Sequence, residues 1–109
     1  MHLIMGGRIE RWLSDQELRA KIAELVALIG MTPVGKLHIE RDDDGLSVIQ
    51  IITQPLEESH ISIHYIADFC CADIFSCKDF DDQKACEFIL EAFLFMSLQE
   101  KKLLRREFC

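Results

Sequence analysis

Apolar positions recur at helical spacing once early in the chain, where Leu18, Ile22, Leu25, Val26 and Ile29 follow Ser14-Asp15-Gln16-Glu17. The four residues read as a capping box and Gly30 as a stop, which predicts a first helix. Before it, His2 to Met5 is a short apolar run ended by Gly6-Gly7, long enough for a strand but not for a helix. After it, the chain runs from Thr32 through Val34, Leu37 and Ile39 to Asp42-Asp43-Asp44-Gly45, an acidic turn. The β-branched stretch Leu46 to Thr53 predicts the returning strand. Gln54-Pro55-Leu56-Glu57-Glu58 predicts a break, because Pro55 cannot donate to a central ladder. Ser59 to Tyr65 alternates, with His60, Ser62 and His64 on one face and Ile61, Ile63 and Tyr65 on the other. Phe69 to Cys77 predicts a further strand, with Cys71, Asp73, Phe75 and Cys77 on one side. Asp79, Asp81 and Asp82 suit the start of a second helix that carries Ala85, Phe88, Ile89, Ala92, Phe93 and Met96 inward.

This order predicts an α+β fold, a two-layer sandwich with two helices on one face of an antiparallel sheet. The other sheet face then carries histidines, a serine, an aspartate and cysteines, so it is either wet or covered by a partner. With 109 residues, half of them hydrophobic, residues 1–109 make a single domain with one core.

Charge and cysteine usage narrow the partners. A formal net charge of -7 repels phosphate backbones and anionic lipid heads, which argues against nucleic acid and membrane. The basic group Lys101, Lys102, Arg105 and Arg106 reads as a solvated helix end. No apolar run has the length of a membrane span, and the opening residues lack the pattern of a secretory signal, so a cytoplasmic protein is predicted. The five cysteines, Cys70, Cys71, Cys77, Cys86 and Cys109, contain no CxxC pair, and their odd number favours reduced thiols. His60, His64, Cys70, Cys71 and Cys77 lack zinc-knuckle spacing, and no metal is predicted.

Two stretches carry chemistry. Glu58-Ser59-His60-Ile61-Ser62-Ile63-His64, followed by Asp73-Ile74-Phe75-Ser76-Cys77, resembles the self-processing core of prokaryotic-type S-adenosylmethionine decarboxylase proenzymes. The resemblance extends to the His2-Leu3-Ile4 opening, the first helix, the Gly45-Leu46-Ser47 turn and the final helix. It implies cleavage between Glu58 and Ser59 into chains 1–58 and 59–109, with Ser59 converted to a pyruvoyl group, the sole cofactor. It further implies that His64 is the base of the processing elimination and that Cys77 protonates the substrate carbon after carbon dioxide leaves. Ser47 would assist the first acyl shift, although extra residues separate it from the cleavage site. An imidazole accepts a proton near neutral pH and a thiol can donate one there, as those roles need.

The implied substrate is a small α-amino acid that forms an imine with the pyruvoyl ketone, S-adenosylmethionine first, its product feeding spermidine synthesis. Family members place a ribose-binding glutamate in a Thr-Trp-Pro-Glu segment, where this chain reads Tyr65-Ile66-Ala67-Asp68. Asp68 would stand in for that glutamate, with Tyr65 beside it. An aromatic residue usual in the family ahead of the Gly-Leu-Ser turn is replaced by Ile39. Loss of adenosine contacts would also suit a relative that decarboxylates arginine or ornithine, for which Asp68, Asp73 and the Asp42 to Asp44 run supply acidic partners. A third reading is an uncleaved, non-enzymatic homologue that binds or regulates an active one. The family's active sites lie where two copies meet, which implies a homodimer.

Overall fold

The computed structural model describes residues 1–105. Its elements run β1 (His2–Ile9), α1 (Asp15–Leu28), β2 (His38–Asp43), β3 (Val48–Leu56), β4 (Ser59–Ile66), β5 (Phe69–Ser76), α2 (Asp82–Ala92) and β6 (Phe95–Leu104). All strands join one antiparallel sheet in the order β2-β3-β4-β5-β1-β6, so β1 is inserted between two strands from the end of the chain. Residue parity sorts its faces. Leu3, Met5, Ile52, Ile61, Ile63, Tyr65, Ala72 and Ile74 share one buried cluster with Leu18, Ile22 and Leu25 of α1 and Ala85 and Ile89 of α2. The predicted α+β sandwich is therefore the observed one, with the helices on one face and His2, His60, Ser62, His64, Cys71, Asp73 and Phe75 on the other.

Helix α1 begins as its sequence dictates. Ser14 Oγ accepts from the Glu17 amide at 3.2 Å, and Glu17 Oε1 accepts from the Ser14 amide at 2.9 Å, which closes the capping box. Arg11 adds two hydrogen bonds of 2.9 Å to the Glu17 carboxylate, and mainly for that reason the carboxyl titrates far down, at about 2. Gly30, with φ 69°, turns the chain out of the helix.

The elements depart from expectation at three places. Gly6-Gly7 does not end β1, which continues to Ile9. A Cβ on Gly7 would lie 2.0 Å from the Ser97 carbonyl oxygen, so this glycine lets β6 approach rather than stopping the strand. Strand β3 also runs through Pro55 to Leu56, and the break shrinks to Glu57-Glu58. The proline is tolerated because β2 pairs with β3 only as far as Thr53, so at Pro55 the strand has a single full neighbour, β4.

The stretch read as the end of the second helix is strand β6, where Lys101 and Lys102 lie opposite Met5 and Ile4. Helix-forming residues are overridden there by the ladder that β1 offers. Met96, predicted to face inward, is 68% exposed, whereas Ala85, Ile89, Ala92 and Phe93 are buried as predicted. Arg106 and Cys109 lie outside the described residues. No helix among the described residues is long and apolar enough to cross a membrane.

Candidate active site

The Glu58–Ser59 bond joins the two-residue turn after β3 to the first residue of β4, with Leu56 and Ser59 paired across the base of the turn. Glu58 has φ 56°, a left-handed backbone that costs a residue with a Cβ roughly 1–2 kcal/mol. The turn cannot easily relax, because the Glu57 amide donates to the Thr32 carbonyl at 3.1 Å. Glu57, Glu58 and Lys78 line a shallow cavity of about 380 Å³ beside it.

Ser59 leads into β4 opposite Ser76, and its hydroxyl donates to Ser76 Oγ at 3.3 Å. Ser76 is 1% exposed; its oxygen also accepts from the Lys78 amide at 2.9 Å, and its own hydroxyl points to Met31 Sδ at 3.8 Å. Cys77 follows directly, so Ser59, Ser76 and Cys77 occupy one end of the sheet. Cys70, Cys71 and Cys86 are free thiols, as predicted, whereas Cys77 is disulfide-bonded, which corrects the expectation of reduced thiols throughout. Burial pushes the Cys70 thiol up to about 12, and burial together with Asp73 also raises Cys71, so neither is a ready thiolate at neutral pH.

His64 is elsewhere. It pairs with Cys71, five positions along β4 from the Ser59–Ser76 pair, a separation of roughly 16 Å at strand spacing. An odd offset also puts the two side chains on opposite faces. Its Nε2 lies 3.0 Å from Ser62 Oγ on the open face. Ser47 stands before Val48 at the start of β3, and Asp68 stands in the turn after β4, so both lie at the end of the sheet remote from Ser59, roughly 30 Å away along the strands. There the Ser47 amide donates to Asp44 Oδ1 at 2.9 Å, and the exposed Asp68 carboxylate faces Arg8 at 3.6 Å. One copy of the chain thus gathers Ser59 and Cys77 at one end and His64, Ser47 and Asp68 toward the other.

Tyr65 does not reach the open face. It is fully buried under α1, its ring stacks on Trp12 at 5.3 Å, and its hydroxyl accepts from the Leu13 amide at 3.4 Å. Burial raises its phenol well above the ordinary range. It is a core residue, which corrects its expected place beside the substrate. The alternation of Ser59 to Tyr65 carried that signal already, since Tyr65 shares parity with Ile61 and Ile63.

The open face also holds contacts that sequence reading did not single out. His2 Nε2 and Asp73 Oδ1 are 2.5 Å apart across β1 and β5, and the His60 ring stacks on Phe75 at 5.6 Å. Both pairings depend on strand register, which periodicity alone does not supply. Among the described residues, no three His, Cys, Asp or Glu side chains converge as metal ligands.

No curated protein sequence matches this chain. The family model of S-adenosylmethionine decarboxylase matches it over residues 6–106, a span that includes the strained turn, Ser59, His64 and Cys77. The chain therefore belongs to the S-adenosylmethionine decarboxylase family and has an S-adenosylmethionine decarboxylase-like function.

Proposed function

We propose that the chain is a proenzyme that cuts itself between Glu58 and Ser59, and that the resulting pyruvoyl group decarboxylates an amino-acid substrate, S-adenosylmethionine first, for spermidine synthesis. The observation that carries this reading is the left-handed Glu58 backbone immediately before Ser59, in a turn pinned by Thr32. Attack of the Ser59 hydroxyl on the Glu58 carbonyl breaks the amide and forms an ester, which releases that backbone strain. β-Elimination of the ester then needs a base at the Ser59 Cα proton. The products would be chain 1–58, released as the Glu58 carboxylate, and chain 59–109, whose dehydroalanine tautomerises to an imine and is hydrolysed with loss of ammonia. This leaves the pyruvoyl cap, whose ketone accepts the electrons released with carbon dioxide.

In a single copy, His64 stands five residues along β4 from Ser59, roughly 16 Å, too far to be that base. The reading therefore requires a homodimer in which Ser59 and Cys77 of one copy meet His64 and Ser47 of the partner copy. The half-exposed open face, with Ile51 and Ile66 among its polar residues, suits such cover. Asp68, at the same end as Ser47, would come to the site with the partner copy. Cys77 donates a proton only as a thiol, so turnover requires its disulfide to be reduced.

The test is intact-mass analysis of freshly made protein, followed by trapping of carbon dioxide from carboxyl-labelled S-adenosylmethionine, arginine and ornithine under reducing conditions. Two fragments and release from S-adenosylmethionine support the reading, and release from arginine or ornithine alone would move the substrate. A single uncut chain would refute the processing, leaving a binding or regulatory role.

A further inference from the structure

The imidazole of His64 stands on an open strand face, where an exposed side chain ordinarily samples several rotamers. Here it leans along β4 to Ser62, two residues back on the same face, with Nε2 at 3.0 Å from Ser62 Oγ. Ser62 is only 9% exposed, so its hydroxyl is costly to leave unpaired. Its neighbours leave that oxygen to His64. Asp73, directly opposite on β5, is drawn toward β1 by His2, and Thr53 lies opposite on β3.

We infer that Ser62 is a positioning residue for His64, its hydroxyl oxygen accepting from Nε2–H so that the bare Nδ1 is the nitrogen presented as base. This rests on the proposed role of His64 in self-processing. A neutral imidazole has one protonated and one bare nitrogen, and the bond made by the first fixes which lone pair is free. A base acting on a Cα proton needs the free lone pair held in one direction, and a ring anchored at its far nitrogen satisfies that. The hydroxyl hydrogen of Ser62 remains able to turn toward Thr53 or Asp73. The group opposite His64 is the Cys71 thiol, which is held neutral and does not compete for Nε2–H as a carboxylate would.

The uncleavable full-length Ser59→Ala chain, labelled with nitrogen-15 in its histidines, reads the contact directly. The His64 resonances should report an Nε2–H tautomer with slow Nε2–H exchange, fast exchange in Ser62→Ala, and recovery in Ser62→Thr. An Nδ1–H tautomer, or exchange that ignores Ser62→Ala, overturns the inference. In the cleavable chain, Ser62→Ala should slow cleavage about tenfold, the loss of one hydrogen bond, with Ser62→Cys equally slow and Ser62→Thr close to the parent. Wild-type speed in Ser62→Cys would mean that only size matters and would overturn it as well. If the parent itself stays uncut, the processing reading falls, while the resonance comparison still decides whether Ser62 holds His64.

Discussion

Ser59 and Ser76 face each other across the β4–β5 ladder with their hydroxyl oxygens 3.3 Å apart, on the helix-facing side of the sheet. Because Ser76 receives the Lys78 amide and directs its own hydrogen at Met31, it is left to accept from the Ser59 hydroxyl. That polarises the nucleophile and fixes its direction. Ser76→Ala should slow self-cleavage about tenfold, read as the time course of fragment appearance on a gel. Unchanged kinetics would remove Ser76 from the processing site.

Glu58→Gly relieves the left-handed strain without moving the turn. In the uncleavable Ser59→Ala background it should stabilise the fold by up to about 1 kcal/mol, since glycine's own entropy loss offsets part of the gain. In the cleavable chain the same change should slow cleavage. A lower melting temperature in the first background would argue against strain at this bond.

Mixing chains separates action within a copy from action between copies. Ser59→Ala and His64→Ala chains, each uncut alone, should yield cut His64→Ala chain when refolded together, because one mixed site contains both missing groups. Absence of any fragment from a mixture shown to form mixed dimers would refute the shared site.

Gly7 separates two strands that a methyl group would force apart. Its added Cβ would sit 2.0 Å from a backbone oxygen that no rotamer change can move. Gly7→Ala should therefore destabilise the protein by about 2–3 kcal/mol or more, seen in denaturant unfolding. Gly45, with nothing within 4 Å of its virtual Cβ but φ 85°, should respond only through its backbone.

The Glu17 carboxyl titrates at about 2 in the folded chain against an ordinary 4.5, held down by Arg11 and the Ser14 amide. A depressed folded pKa contributes stability above the unfolded value, which is lost as pH falls through the window from 4.5 toward 2. The melting temperature of Glu17→Gln should thus lie below that of the parent at neutral pH and converge with it near pH 2. A constant offset across that window would place the effect elsewhere.

Local signals were readable in proportion to how local their causes are. The capping box at Ser14 and the alternation through Ser59 to Tyr65 depend on neighbours within a few residues, and both stand as read. Strand β6 did not show, because Phe95 to Leu104 has the composition of a helix and becomes a strand only beside β1, a partner distant in sequence. The continuation of β1 past Gly6-Gly7 was hidden for the same reason. At the site, the motif drew attention to Ser59, His64 and Cys77, but the five residues of extended strand between Ser59 and His64 hold His64 apart from the other two. Ser76, on the inner face by parity, was legible as a position and not as a contact, because its partner depends on register.

The interleaved strand order has a consequence for the proposed fragments. The first would hold β1, β2 and β3, the second β4, β5 and β6, and the former's opening strand is wedged between two of the latter's. Separation would mean unzipping three ladders at once, β3–β4, β5–β1 and β1–β6, and emptying a common interior. The nicked protein should consequently migrate, melt and refold as a single body, with neither piece able to keep its shape alone.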